Sequence, residues 1–244
     1  MSSNPTVYVV TGATRGIGFA LVEQLSTRPD TVVYAGTRSL PLPNASQLAQ
    51  LAAKHPEVVI PIKINSADEA DNVAAAEVIK AKYGYVSVVI ANAGSHSGTL
   101  PISELQPHHM LSDFETNVLG PLALFNKMSS LLLAANEASP GSAKFMVVSS
   151  LVGSIAELLP YPYTAYATSK AAVNFVVAKI NQDPGIVSTD MARKAAGEAG
   201  LTIEAFGAIT PLASATGLLS VVDKATKESH GGKFWNYTGE ELRY

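Results

Sequence analysis

The chain has 244 residues, 47% hydrophobic and 15% charged, with a net charge of -3 and a pI near 5.9. That length suits one large α/β domain, and the weak acidity removes the basic footprint that nucleic acid or an anionic membrane surface would require. Without cysteine there is no disulfide, thiolate nucleophile or cysteine-bound zinc. The start MSSNPTVYVV lacks the regions of a secretory signal, and no eighteen apolar residues run unbroken, so a cytoplasmic chain is expected.

In chain order, short β-branched runs alternate with helical patterns: TVYVVT (6–11) then a helix over 16–26, TVVYAG (31–36) then 44–54, and EVVIPI (57–62) then 68–82. VSVVIAN (86–92), a long helical stretch from about Pro107 to Asn136, AKFMVVSS (143–150) and a helix opened by YATSK (166–170) continue the series. Continuous apolar strands between helices are buried on both faces, which predicts a doubly wound, Rossmann-type parallel sheet in a single domain over 1–244. The Pro-rich LPLPNA (40–45) is expected to be a loop delivering Asn44 or Ser46 as a helix cap. Gly120-Pro121 should distort the long helix near Asn117, because proline removes a backbone donor and crowds the preceding turn.

Strand one runs into TGATRGIG (11–18), with Gly12, Gly16 and Gly18. Gly12 would permit the tight turn, Gly16 the approach of phosphates to the backbone, and Gly18 close packing of the new helix, whose N-terminus supplies free N–H groups. The turn, one residue wider than the common fingerprint, predicts a bound dinucleotide. Where an NAD site would place a carboxylate at the end of strand two, the chain has Thr37 and Arg38, with Arg15 in the glycine turn. A guanidinium binds a 2′-phosphate that a carboxylate would repel, so the predicted cofactor is NADP(H); a merely solvated Arg38 is the alternative.

Tyr166 and Lys170 are four apart, and on a helix they share a face. With Thr11 to Gly18, Asn92-Ala93-Gly94, Asn117, Ser149-Ser150, Tyr166 with Lys170, and Pro184-Gly185 with Thr189, the chain resembles the classical short-chain dehydrogenase/reductase family. The closing GGKFWNYTGEELRY and the first turn look most like fungal ketoreductases of the norsolorinic acid ketoreductase type.

The resemblance implies an NADPH-dependent carbonyl reductase with Asn117, Ser150, Tyr166 and Lys170 as its catalytic set. Tyr166 would be the general acid. A free phenol titrates near pH 10, so proton transfer near neutrality needs about 4 kcal/mol of preferential phenolate stabilisation, supplied by the Lys170 ammonium and the oxidised nicotinamide. Lys170 would also bind the nicotinamide ribose, Ser150 would polarise the substrate carbonyl, and Asn117 would hold a water linking Lys170 to solvent. Ser150 is chosen as second of the pair before x-x-Gly, with Ser149 as fallback. Tyr163 stands at the more usual distance from the serine, but four residues beyond it is Ala167.

The implied cofactor contacts are Gly12, Thr14, Arg15, Gly16, Ile17, Gly18, Arg38, Asn65, Asn92, Ala93, Gly94, Tyr166, Lys170, Pro184, Gly185, Val187 and Thr189. Asn65 stands where many relatives carry an aspartate against the adenine. His96 could touch substrate, and the consecutive His108 and His109 diverge on a helix and make a poor metal pair, so no metal is expected.

Only Asn181, Gln182 and Asp183 separate the helix ending near Ile180 from Pro184, leaving no room for a loop and the family's sixth strand. Set against the family pattern the connection is about a dozen residues short, and three explanations compete: an unrecorded segment, an aberrant transcript, or a helix that ends early and supplies a shortened strand. The stretch from about Ala192 to Phe206 would form a lid. The apolar helix after Tyr166 and the long helix before it predict a homodimer or homotetramer. The rival function is an NADP-binding sensor or scaffold without turnover; an oxidative dehydrogenase differs only in direction.

Overall fold

The computed structural model describes residues 4–182 and 210–244. Five parallel strands form one sheet in the order β3-β2-β1-β4-β5: β1 (Thr6–Val10), β2 (Thr31–Thr37), β3 (Val59–Lys63), β4 (Val88–Ala91) and β5 (Lys144–Val147). Burial follows the two-residue period of a strand on both faces. Val7, Val9, Val32 and Tyr34 enter one core, whereas Tyr8, Val10, Val33 and Ala35 enter the other. This is the doubly wound parallel sheet expected from strands apolar at every position.

The first core is covered by α3 (Glu69–Tyr83), α5 (Gly120–Ala138) and α6 (Thr164–Gln182), through residues such as Ile79, Leu124, Met128 and Val173. The second is covered by α1 (Gly16–Leu25), α2 (Gln47–Lys54) and α7 (Pro211–Lys224), through Leu21, Leu48 and Leu218. Ser46, rather than Asn44, caps α2 by accepting from Ala49 N–H at 3.3 Å, and Asp68 caps α3 in the same way at 3.0 Å. Pro61 sits inside β3, which is tolerated because β3 is the sheet edge and a missing N–H there breaks no inner ladder.

The long helical stretch is three pieces: α4 (Pro107–Phe114), a π-helical turn over Glu115–Leu119, and α5. By length and composition Pro107–Ala138 could cross a membrane, yet Leu124, Met128, Leu131 and Leu132 lie in the core. A short helix α8 (Lys227–His230) and a two-stranded antiparallel ribbon, β6 (Phe234–Trp235) with β7 (Glu241–Leu242), complete the described chain. Helix α6 continues to Gln182, two residues past the expected end. Pro184, Gly185, Val187, Thr189 and the expected lid lie outside the described residues.

The strand order reverses between β1 and β4. In such sheets the crevice outside the carboxyl ends of the strands at this point is where ligands bind. The glycine turn after β1, Asn92-Ala93-Gly94 after β4 and Ser149-Ser150 after β5 lie at these carboxyl ends.

Candidate active site

The glycine turn joins β1 to α1 across this crevice. Gly12 has φ +64° and a Cβ on it would lie 2.9 Å from Ala93 Cα; a Cβ on Gly18 would lie 2.3 Å from the Gly12 carbonyl oxygen. Only glycine allows the helix head to sit this close to the turn. Gly16, at φ +60°, faces open space, and Arg15 at the head of α1 supplies no side-chain acceptor to the first helical turn. Uncapped N–H groups beside an open backbone cradle are what a pyrophosphate requires, so this turn fits a dinucleotide. Thr14, Arg15 and Gly16 are exposed on the lip, and Ile17 is half-buried beneath it.

The Ala13 N–H donates to the Gly36 carbonyl at 3.0 Å, tying the turn to the end of β2. Arg38, exposed just beyond, and Arg15 therefore flank the same edge. Asn92 fastens the other side: its Nδ2 donates to the Thr11 carbonyl at 2.9 Å, and Thr11 Oγ1 accepts from the N–H groups of Asn92 and Ala93 at 3.1 and 3.0 Å. The Asn92 side chain is thereby spent on the turn. A recess beside it is lined by Thr11, Ile64, Ser66, Ala91, Ala93, Gly120, Pro121 and Leu124.

Asn65, expected against the adenine, does not line that recess. Ile64 and Ser66 do, and Asn65 is exposed with its N–H bonded to Asp71 Oδ2 at 3.2 Å. Past the end of β3, side chains still alternate in direction, so the residue between two recess-lining neighbours points elsewhere.

At the other end of the crevice, β5 leads into Ser149 and Ser150, both buried. Ser149 Oγ donates to the Lys170 carbonyl at 3.4 Å, whereas Ser150 Oγ accepts from Val152 N–H at 3.4 Å and keeps its own hydrogen to donate. That difference favours Ser150 as the group facing a carbonyl oxygen. Three residues on, a Cβ at Gly153 would lie 2.9 Å from both the Cβ and the carbonyl carbon of Lys170, so glycine there lets α6 press against the serine turn.

On α6, Lys170 is 3% exposed; its Nζ donates to the Val148 carbonyl at 2.8 Å and lies 5.5 Å from the Tyr166 ring centroid. Tyr166 is half-buried, with its ring facing the ammonium one helical turn along. Tyr163, the rival by spacing, is 1% exposed and packs on Tyr161 and His96 with ring centroids 5.8 and 5.5 Å away. Tyr163 is a core residue, and Tyr166 is the tyrosine beside the lysine.

Asn117 is fully buried in the π-helical turn. Its amide does not wait for a water: Oδ1 accepts from Ser95 N–H at 2.8 Å, and Nδ2 donates to the Ser95 carbonyl and to Ser169 Oγ, each at 2.9 Å. Of the two groups with which Asn117 could hold the expected water, the amide is thus occupied. The backbone carbonyl of Asn117 is the freer group, since the N–H that would close on it in an α-helix belongs to position 121, which is proline.

Ser95, Ser169 and Asp113 are site residues that the sequence reading missed. Asp113 stands four residues before Asn117, a spacing that could have flagged a shared helix face. No cluster of three potential metal ligands occurs among the described residues. His109 is instead occupied in capping α4, its Nδ1 accepting from Gln106 N–H at 3.1 Å.

A family model described as short chain dehydrogenase matches residues 6–198. The chain belongs to the short-chain dehydrogenase family. This short-chain dehydrogenase is 34% identical to an uncharacterized oxidoreductase of Schizosaccharomyces pombe over 264 residues, covering 100% of both proteins; the alignment is longer than the chain itself. It is 31% identical to norsolorinic acid ketoreductase of Aspergillus parasiticus, covering 97% of this chain and 90% of that protein. Among solved structures it is similar to the NADPH-bound carbonyl reductase from chicken fatty liver, with a TM-score of 0.85, 26% identity and coverage of 99% and 100%. Carbonyl reductase Sniffer of Drosophila melanogaster shares the fold, with a TM-score of 0.85 at 23% identity over 98% and 100%. The protein is thus an oxidoreductase with a nicotinamide-cofactor fold.

Proposed function

We propose that this oxidoreductase reduces a ketone or aldehyde to an alcohol, with NADPH as reductant and Tyr166 as the proton donor. The observation that carries the reading is the Lys170 ammonium, 5.5 Å from the Tyr166 ring centroid, on a helix packed against the Ser150 turn.

When bound, NADPH supplies the hydride. Gly12, Thr14, Arg15, Gly16, Ile17 and Gly18 would hold its pyrophosphate, and Arg38 with Arg15 its 2′-phosphate. Ala91 and Ala93 would present small side chains to the adenosine side, while Gly94 lies between Asn117 and Lys170, where a Cβ would fall 3.2 Å from Asn117 Oδ1.

Ser150 donates its free hydroxyl hydrogen to the substrate oxygen, and Tyr166 transfers a proton to that oxygen as negative charge develops on it. Lys170 stabilises the phenolate left behind, and its own position is fixed by the Val148 carbonyl. The proton returned to Tyr166 would come from solvent past Lys170, by way of a water that the Asn117 backbone carbonyl, rather than its amide, would hold. We further propose that two or four copies associate through α5 and α6.

The experiment is NADPH oxidation over a panel of ketones and aldehydes, with Tyr166→Phe as partner. The expected outcome is turnover by the natural chain and a loss of at least ~100-fold in kcat in the variant, the scale of positioned general-acid catalysis. Equal rates would remove the mechanism.

One observation favours the rival, an NADP-binding protein without turnover. Helix α6 runs through Gln182 and abuts Asp183-Pro184, so no strand fits between the helix and Pro184. NADPH binding with no oxidation across the panel would select that rival.

A further inference from the structure

Between β4 and the residues before α4 the chain has no strand, and its first helical turn is Ile102–Glu104, so nothing in the sheet ladder fixes residues 94–98. Hydrogen bonds from one helical face hold Ser95 and Ser97, and the Ser97 hydroxyl has both Asp113 Oδ2, at 3.0 Å, and the His109 carbonyl, at 3.2 Å, as acceptors. Asp113 on α4 and Asn117 in the π-helical turn are one helical turn apart. Asn117 holds Ser95 by both backbone groups. Asp113 Oδ1 accepts from Ser95 Oγ at 3.1 Å, and its Oδ2 accepts from the Ser97 N–H at 3.2 Å and from Ser97 Oγ at 3.0 Å.

His96 is the residue between these two anchored serines. Its ring stands edge-on to Tyr166, with centroids 5.5 Å apart and an interplanar angle of 69°, and edge-on to Tyr163 at 5.5 Å. The same helical face reaches the tyrosine from behind: Asn117 Nδ2 donates to Ser169 Oγ, which donates to the Tyr166 carbonyl at 2.6 Å.

Asp113 is fully buried, and its partners among the described residues are hydroxyl and amide donors. A buried carboxylate is costly to desolvate, and an apolar residue of similar size would be cheaper at a position with no task. Its three donors all lie on the two residues flanking His96.

We infer that Asp113 is a positioning residue for the Tyr166 phenol, acting through the Ser95–His96–Ser97 segment, with the His96 ring as the wall that sets the phenol's orientation toward substrate. The inference rests on the reading of Tyr166 as proton donor. The Asp113 side-chain bonds go to Ser95 and Ser97 and do not reach the glycine turn, so the turn's hold on the cofactor should be kept.

The test is a double-mutant cycle of Asp113→Ala and His96→Ala, read first by NMR in protein carrying tyrosine labelled with carbon-13 at Cζ. The Tyr166 line is assigned by its loss in Tyr166→Phe. Asp113→Ala should move this line although Asp113 does not touch the ring, and should move it no further in the His96→Ala background. Turnover gives the second readout: each single variant should lose on the order of 10-fold to 100-fold in kcat, the double variant no more than the worse single one, with NADPH Kd unchanged. If Asp113→Ala does not fold, Asp113→Asn, which keeps one acceptor, replaces it and should show the same line moved by a smaller amount. A Tyr166 line that stays in place, or kcat losses that multiply in the double variant, overturns the inference. Absence of NADPH oxidation in the natural chain would sink the reductase reading and leave the NMR outcome to decide this one.

Discussion

Arg38 follows a strand whose residues are all buried, and it is the first side chain of that run to reach solvent. A guanidinium on this edge of the glycine turn favours a phosphorylated ribose, and a carboxylate would repel it. Arg38→Asp should raise the Kd for NADPH about 100-fold while leaving that for NADH within a few fold, measured by cofactor fluorescence. Tyr34, on the neighbouring inner face of β2, is 1% exposed, and its hydroxyl finds no hydrogen-bond partner among the described residues. Burial, and then the nearby Tyr83, push its phenol up to about 12. The folded state therefore keeps this proton where the unfolded chain has released it, so its contribution to stability is complete below about pH 10 and declines as pH rises toward 12. Tyr34→Phe should flatten the stability profile in that window, read by denaturant midpoints, and should raise stability by about 1 kcal/mol at neutral pH. Glycines, Arg38 and the Tyr166–Lys170 pair were legible because a local turn or one helical period sets their geometry. Asp113 was not, because its partners arrive from a segment 16 to 18 residues away whose approach no local spacing encodes.

The distortion ahead of Pro121 is the element on which the site turns. The sequence placed a break there; the structure resolves it as a widened π-helical turn, in which the Gly120 N–H donates to the Glu115 carbonyl. One extra residue in a turn rotates α4 relative to α5, and so lets Asn117 and Asp113 face the Ser95 segment while α5 faces the sheet. Pro121→Ala restores the missing donor and favours a regular helix. Its expected signature is a higher thermal midpoint with kcat lowered about tenfold, because relaxing the turn moves Asn117 away from Ser95 and Ser169. Strand identities were readable from apolar runs, but their ends were not. The run read as 86–92 is a strand only over Val88–Ala91, since Asn92 is diverted to hold the glycine turn.

Across the whole molecule, the faces of α5 and α6 turned away from the sheet keep apolar side chains in solvent, as does the π-helical turn that leads into α5: Phe175 is 66% exposed, Leu133 46% and Leu119 44%. Large exposed apolar residues on helices that already cover a core face are what an interface between copies would bury. Phe175→Glu should shift sedimentation toward the monomer, without altering the melting of the isolated fold by more than about 0.5 kcal/mol, as expected of a surface substitution. A sedimentation profile identical to that of the natural chain would remove the proposed association.

The amino-acid order by itself determined the doubly wound sheet, the glycine turn at its first crossover and the pairing of Tyr166 with Lys170, because apolar period, glycine conformation and helical spacing act over a few residues. Only the tertiary structure decided that Ser150 keeps a free hydrogen while Ser149 does not, that the Asn117 amide is spent on Ser95 and Ser169, and that Asp113 binds the two serines flanking His96. Those outcomes depend on which donors meet which acceptors when distant segments converge at the carboxyl ends of β1, β4 and β5, and hydrogen bonding there is a competition no single segment can settle.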